Sequence, residues 1–423
     1  MKDIFQHRGL RLIFIANLIS MIGSGMNTAA VTWYILQKTH SETALGTMTV
    51  MLTIPALLML PFTGVIIDRE DRRIIIMLLD GLRAVIILAV AILALRGREQ
   101  AWMVYSMVML VAAGFYMFWP TITALIQELT PQSQFIRSNT FLLAGVQGGW
   151  LIAGSIVGFV YNHIGLGGVL LIDVLSYIAS FSCYMMVRKG KHTVKPTTPD
   201  DTLGLEIREA ETALERFMKE LREGIEYIFA NRYVLALGTS WFLFLGAMTS
   251  QSVLTAPLSD RVFHSGAVGY GWLNAGWGVG AFLSVTYSAW FIRQMSSRYA
   301  ITIAMALMAV ALFSAPLAGA VGMGVAIYGL AGSARGVGGV AISSGIMEIV
   351  PKHFMGRVQN TFFFAGMLLQ MALGYTVGVV AHNVSLFAAF AIIAAVYTVA
   401  SLAALIPVRL PASQPSTEES IAK

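Results

Sequence analysis

Twelve apolar runs long enough to cross a bilayer constrain this chain more than any other feature of its sequence. They fall at about 10–37, 44–67, 74–95, 101–127, 138–162 and 166–187, then at about 233–258, 267–291, 299–319, 322–349, 358–381 and 385–407. A spanning helix needs roughly 20 predominantly apolar residues. Inside a bilayer each backbone polar group must be satisfied within its own segment, which selects helices. Only 12% of the 423 residues are charged, against about 25% in an average soluble domain. No water-exposed surface for a chain of this length is built from so few charges. The sequence therefore reads as an all-α membrane protein of twelve transmembrane helices. The apolar segment after Met1–Arg11 lacks a cleavage site of small residues and is too long for a signal peptide, so it reads as the first span, retained.

The organisation follows from where the charges collect. Residues 188–232 hold nine basic and nine acidic side chains, and Leu214, Phe217, Leu221, Ile225 and Ile228 recur there at three- and four-residue spacing. That pattern predicts an amphipathic helix on the membrane surface or under the bundle. The expected division is a six-helix bundle over 1–187, a charged linker over 188–232, a second six-helix bundle over 233–410 and a disordered tail over 411–423. With the N-terminus inside, the cytoplasmic segments carry 22 of the 28 Lys and Arg; the outer loops carry Lys38, Arg96, Arg98 and Arg261. This asymmetry places both termini in the cytoplasm. It also accounts for the net charge of +6 without nucleic acid.

The two sets of spans are related copies. At one constant offset, Glu128-Leu-Thr-Pro131 recurs as Glu348-Ile-Val-Pro351, Arg137 as Arg357, and Gly154-Ser-Ile-Val-Gly158 as Gly374-Tyr-Thr-Val-Gly378. Asn139-Thr-Phe matches Asn360-Thr-Phe with one extra residue. Parallel repeats of this kind mark transporters whose substrate site lies between two halves.

Between the second and third spans stands Gly64-Val-Ile-Ile-Asp68-Arg69-Glu70-Asp71-Arg72-Arg73. It resembles the G-x-x-x-D-R-x-G-R-R loop of the major facilitator superfamily, with Asp71 in place of the second Gly. Gly64 permits close helix approach, Asp68 caps a neighbouring helix N-terminus, and Arg69, Arg72 and Arg73 supply conformation-dependent ion pairs. The corresponding loop of the second half, Arg293-Gln-Met-Ser-Ser-Arg298, keeps positive charge but loses the Gly and the Asp. Asp68-Arg-x-Asp-Arg-Arg73, Leu79-Asp80-Gly-Leu-Arg83 and Leu171-Ile-Asp173-Val-Leu are similar to the branch of macrolide-efflux and enterobactin-exporter proteins. The resemblance covers nearly the whole chain. It implies the major facilitator fold and proton-driven export of amphiphilic compounds.

Ionisable residues inside spans are expensive and are functional candidates by default. Asp80 and Arg83, one turn apart, read as an ion pair near the inner gate or as part of proton coupling. Asp173 heads a polar stripe with Ser176, Tyr177 and Ser180, suited to proton coupling or to a packing hydrogen bond. Arg335 lies several helical turns before Glu348 at the end of its span, too deep to snorkel. It attracts an anionic substrate group, pairs with Asp173 or acts in a gate. Asn17, Ser24, Asn27, Gln147, Trp241, Gln251, Asn274 and Trp277 are candidates for the substrate cavity, with interhelical packing as the alternative for each. Glu128 with Arg137 and Glu348 with Arg357 are expected to approach Asp68, Arg72 and Arg73 when the inner side closes.

Other chemistry has no support. There is no Gly-x-x-x-x-Gly-Lys-Ser/Thr loop for ATP. A single Cys excludes a disulfide framework, and the seven His have no metal-ligand spacing. No cofactor is expected, and the chain is not an enzyme. The preferred expectation is a monomeric transporter in a bacterial cytoplasmic membrane, exporting apolar or amphiphilic small molecules in exchange for protons. Two rivals stay open: a lipid or lysolipid flippase of the same fold, and a non-transporting membrane sensor that binds partners through the linker.

Overall fold

The computed structural model describes residues 8–63, 66–67, 70–130, 135–187, 202–351 and 354–406, with side chains undescribed at 135–137, 139–141, 143–144, 147 and 202–211. Gly64, Asp68, Arg69, the tail from 411 and the side chains of Arg137 and Gln147 thus lie outside the described residues.

Among the described residues, ten helices are apolar and long enough to cross a membrane, and two of them break in the middle. Spans one to four are Arg8–Thr39, Glu42–Met59, Arg72–Leu95 and Ala101–Leu129. The helix Phe135–Met185 breaks at Gly165 (φ 63°) into spans five and six. Span seven runs Arg232–Val262. The helix Gly266–Ser314 breaks at Ser296 (φ 68°) into spans eight and nine. Spans ten to twelve are Val321–Ile349, Met355–Asn383 and Leu386–Ala404. Dividing the two broken helices gives twelve crossings. Gly165 turns the chain with no Cβ penalty; Ser296 holds a left-handed conformation that strains an L residue.

Span two ends earlier than its apolar run. A turn at residues 60–62 interrupts it: Leu60 still closes onto the Ala56 carbonyl at 3.1 Å, but Pro61 has no N–H to continue the ladder. Helical hydrogen bonding resumes with Ile66 N–H to the Phe62 carbonyl at 3.2 Å. Span seven also departs from a plain helix. After Ser250 the chain continues as Ser252–Pro257 and a wide π turn, Leu258–Val262, which carries Arg261.

Alternation puts the start of span one, the end of span twelve, and the turns at 60–62, 70–71, 130, 231, 296 and 350 on one side, called here the terminal face. The turns at 40, 97, 165, 264, 319 and 384 form the opposite face. Spans pack through small residues, which suits a medium where apolar side chains gain little from burial against one another.

The linker helix, Thr202–Ala230, docks on span eleven. Phe217, Gly224 and Ile228 face the protein, whereas Leu214 and Ile225, placed on the same stripe by the sequence, are exposed. The apolar arc is wider than one contact needs.

Candidate functional site

Four charges inside spans are the chemically loaded residues, and three of them form one network. Span three places Asp80 and Arg83 a turn apart, with Arg83 Nη1 3.6 Å from Asp80 Oδ1 and both side chains buried. Span six presents Asp173, Tyr177 and Ser180 to the same interior. Ser180 donates to Asp80 Oδ2 at 2.7 Å. Asn27 of span one donates to Asp173 Oδ2 at 2.7 Å, and Ser176 to Asp173 Oδ1 at 3.2 Å. Ser24 of span one and Tyr177 share a hydrogen bond of 2.8 Å. The Arg83 guanidinium lies 5.1 Å from the Phe118 ring centroid and 5.5 Å from that of Tyr177, an arrangement that stabilises a desolvated cation.

Two glycines make the space. A Cβ on Gly114 would come 2.7 Å from Arg83 Nε, and one on Gly23 would meet Ser176 Oγ and stand 2.5 Å from Asp173 Oδ1. The guanidinium nitrogens Nε, Nη1 and Nη2 of Arg83 make no hydrogen bond, so charge and ring faces hold it. Asp80 is the carboxylate in ion-pair contact with this arginine, while Asp173 is held by Asn27 and Ser176. The sequence set Ser24 and Asn27 with the substrate cavity and the acids with proton coupling; the fold joins them.

Arg335 is placed elsewhere. It interacts electrostatically with Tyr397 of span twelve, while the arginine acting on Asp173 is Arg83. No hydrogen bond or ion pair joins Arg335 to Asp173 among the described residues; the nearest electrostatic neighbour of Arg335 is Tyr397. Tyr397 is the counterpart of Tyr177 at the offset that relates Glu128 to Glu348. Each half thus sets an arginine within electrostatic reach of the equivalent tyrosine, a buried one from span three and a half-buried one from span ten.

The terminal face carries a second layer of charge. Asp71 accepts from the Arg73 backbone N–H at 2.9 Å and so starts span three. Arg72 reaches the Ala124 carbonyl at 3.3 Å and Glu128 Oε2 at 3.4 Å. Arg73 donates to the carbonyls of Tyr184 and Met185, both at 2.7 Å. In the second half Ser297 donates to Glu348 Oε1 at 3.1 Å, and Arg298 donates to the carbonyls of Ala404 (3.1 Å) and Leu405. Arg357 is engaged by Glu223 of the linker helix at 3.1 Å.

At the opposite face stands a cluster that sequence reasoning missed. The fully buried carboxylate of Glu42, in the first turn of span two, receives Arg261 Nη2 at 2.6 Å and His382 Nδ1 at 3.1 Å. Arg261 ends span seven and His382 ends span eleven, so the contact ties the first set of spans to the second. Residues at 42, 261 and 382 share no spacing, and only the packing brings them together.

Other contacts between the two sets lie toward this same face. Trp33 stacks on Tyr270 with centroids 6.0 Å apart. Gln370 Nε2 donates to Thr53 at 2.9 Å. A Cβ on Gly374 would lie 2.7 Å from Thr49 Cγ2, and one on Gly378 2.6 Å from the Glu42 carbonyl oxygen. Likewise a Cβ on Gly154 would lie 3.1 Å from Asn274 Cβ, and one on Gly158 would collide with the Ala267 carbonyl.

The remaining cavity candidates are dispersed. Asn17 is buried and donates to the Leu142 carbonyl at 3.4 Å. Gln251 is buried at the break in span seven, its Oε1 without a hydrogen bond. Asn274 donates to the Tyr270 carbonyl at 2.8 Å. Trp241 packs on Phe362 (5.7 Å) and Trp277 on Tyr328 (6.2 Å).

Comparison with known proteins adds a family. The profile of the Major Facilitator Superfamily matches residues 13–374. The chain is 24% identical over 251 residues to the uncharacterized MFS-type transporter YkuC of Bacillus subtilis (strain 168), covering 57% of this chain and 54% of that protein. It is 22% identical over 225 residues to Macrolide efflux protein A of Streptococcus pyogenes, covering 53% and 52%. The chain spans about half the length of the curated relatives it matches. Among solved structures, a POT family transporter in complex with a thioalcohol conjugated peptide superposes with TM-score 0.75 at 14% identity, over 94% of this chain and 96% of that one. The nucleoside transporter NupG does so with TM-score 0.70 at 13% identity, over 94% and 98%. These two likenesses speak for the fold alone.

Proposed function

The chain belongs to the Major Facilitator Superfamily, and we propose that it is a multi-pass membrane transporter that exports amphiphilic or apolar small molecules in exchange for protons. The buried network of Asp173, Asn27, Asp80 and Arg83 carries this reading. Two acids and one base hold a net charge of −1 when both acids are ionised, which is costly in a dry interior. One bound proton makes the group neutral. Because Asn27 belongs to span one and Asp173 to span six, a change of protonation is felt where two helices meet. Gain or loss of a proton thus biases the packing of span one, which lines the path between the halves.

Transport then proceeds by rocking two six-helix halves, residues 1–187 and 233–410. With both termini cytoplasmic, the terminal face is the inner one. The Glu42 cluster and the glycine seams then close the outer side, and the state described is open to the cytoplasm. Opening outward requires Glu42 to release Arg261 and His382, and the inner charges around Arg72, Glu128 and Glu348 to come together. Trp241, Gln251, Asn274, Trp277 and Gln147 supply aromatic and amide groups for an amphiphile, and Arg335 supplies charge within the second half. The similarity to Macrolide efflux protein A supports export, and to bacterial proteins in general supports the cytoplasmic membrane. The transporting unit is a monomer.

Everted membrane vesicles test the proposal. After a proton gradient is imposed, addition of a macrolide or dye substrate is expected to release protons in wild type and not in Asp173→Asn. Translocation of a labelled lipid without drug-stimulated flux would favour a flippase. Neither signal would favour a sensor.

A further inference from the structure

Glu128 and Glu348 end equivalent spans, but their surroundings differ. Glu128 pairs with Arg72 at 3.4 Å. Among the described residues Glu348 accepts a hydrogen bond from Ser297 and forms no ion pair. Two relations align the neighbouring positions. The offset that carries Glu128 to Glu348 also carries Leu125 to Gly345 and Tyr184 to Ala404. Arg73 caps the carbonyls of Tyr184 and Met185, and Arg298 caps those of Ala404 and Leu405, so Ser297 is the counterpart of Arg72.

Around Glu128 these three positions carry large side chains. Leu125 and Tyr184 are buried in the core of the first set of spans, and Arg72 reaches across to the acid. Around Glu348 the same positions carry a hydroxymethyl group, a hydrogen and a methyl group. Large-to-small exchange in a packed interior leaves space that the surroundings close only in part. The outcome is a cavity of about 260 Å³ at the terminal face of the second set, lined by Ser297, Gly345, Glu348 and Ala404 together with Leu237 and Arg298. Ser297, Gly345, Ala404 and Leu237 are buried, and Glu348 is exposed at the mouth.

We infer that this cavity binds a small organic monocation, an amidinium or guanidinium group on a short aromatic or branched apolar body. The head meets Glu348 as Arg72 meets Glu128, and the body takes the room that Leu125 and Tyr184 fill in the other half. A planar, forked donor fits better than an ammonium. Arg72 bonds both Glu128 and the Ala124 carbonyl, and the counterpart of that carbonyl belongs to Ser344. Arg298 does not already serve as the cation. Its Nε and Nη2 donate to helix-end carbonyls, and among the described residues no ion pair joins it to Glu348. Nor does its charge bar a second cation, since Arg73 holds the equivalent place while Arg72 pairs with Glu128. A mostly apolar pocket with one or two placed polar groups is the usual form of a small-molecule site. The cavity lies within the second half, apart from the Asp173 network of the first, and its filling does not depend on what is transported.

Equilibrium binding of radiolabelled phenylguanidinium to the full chain in phospholipid nanodiscs, with empty nanodiscs subtracted, tests the site. Wild type is expected to bind a single equivalent, displaced by benzamidinium and not by phenylurea, which has the same shape without the charge. Glu348→Gln should weaken binding at least about tenfold, because the charge-assisted pair is lost. Ser297→Arg, which supplies the guanidinium from the chain itself, should abolish it. Ala404→Leu, which fills the space and leaves Glu348 in place, should do the same. Asp173→Asn should bind as wild type does. Gel filtration verifies that each variant is folded. Absence of saturable binding to wild type, or equal displacement by phenylurea, overturns the inference. So does unchanged binding in folded Glu348→Gln. Loss of binding in Asp173→Asn with retention in Ser297→Arg would put the cation between the halves and equally overturn it.

Discussion

Arg73 and Arg298 perform the same task on equivalent helix ends of the two halves. Arg73 caps the carbonyls of Tyr184 and Met185, and Arg298 caps those of Ala404 and Leu405. The step in sequence from Arg73 to Arg298 is longer than that from Tyr184 to Ala404, so the alignment of the halves shifts between these points. A helix C-terminus leaves its last carbonyls unpaired, and a guanidinium both donates to them and meets the negative end of the dipole. The residue before each arginine has diverged. Arg72 faces Glu128 with a charge, and Ser297 faces Glu348 with a hydroxyl.

Replacing Arg73 or Arg298 by Ala is expected to cost about 1.5–3 kcal/mol of stability, as for hydrogen bonds to a charged donor, and so to lower the thermal midpoint of the detergent-solubilised protein. Lysine should restore little, since one ammonium cannot fork across two carbonyls. Ser297→Arg should give Glu348 the partner that Glu128 has, with a gain of at most about 1 kcal/mol. Fluorescence-detected gel filtration after heating measures all three. An unaltered midpoint in both Ala variants would remove the capping role.

Arg83→Gln leaves two buried acids without their cation, and the expected cost is about 3–5 kcal/mol. Asp173→Asn keeps the size and a hydrogen-bonding group, so it should fold near normally yet lose proton-coupled flux. Wild-type flux in folded Asp173→Asn vesicles would sink the coupling assignment.

Gly23→Ala and Gly114→Ala should each be destabilising by about 1–3 kcal/mol, because the added methyl meets Asp173 with Ser176 or the Arg83 guanidinium. Gly81→Ala, where a Cβ meets nothing within 4 Å, is the matched control. It should be neutral or slightly stabilising, as expected for Ala over Gly inside a helix. Thermal midpoints of the three variants, measured side by side, check the contrast.

Glu42→Gln removes the charge that holds Arg261 and His382. The population open to the face opposite the termini is expected to rise, about tenfold for each 1.4 kcal/mol lost. Pulsed electron–electron distances between labels on spans two and eleven at that face read the shift. His382→Ala should produce a smaller change than Arg261→Ala, since its contact to Glu42 is the longer, 3.1 Å against 2.6 Å. Identical distance distributions in wild type and Glu42→Gln would exclude a latch.

The spans were legible because bilayer thickness imposes a length on apolar runs, and Asp80, Arg83 and Asp173 because a charge in such a run needs a reason. Their shared network was not legible. Asn27 looks like any polar residue on span one until packing brings Asp173 against it. Glu42 reads as an ordinary acid at a helix start, favourable to the dipole, and nothing local ties it to residues 261 and 382. Register also decided the linker. Periodicity grouped Leu214 and Ile225 with Phe217 and Ile228, but docking on span eleven buries only part of that apolar arc.

The glycine seams have a symmetry of their own. Gly154 meets Asn274 and Gly158 meets Ala267; Gly374 meets Thr49 and Gly378 meets Glu42. The offset that carries Gly154 to Gly374 also carries Gly158 to Gly378, and the one that carries Thr49 to Asn274 also carries Glu42 to Ala267. The halves therefore associate as an isologous dimer fused into one chain, a single self-complementary patch used twice about a pseudo-twofold axis. That axis runs along the membrane normal, exchanging the halves but not the two faces, so the balance between the openings is set by how the contacts at one end of the seam differ from those at the other. Glu42, whose counterpart across the axis is Ala267, adds its ion pairs to Arg261 and His382 at the face opposite the termini and so weights that end alone.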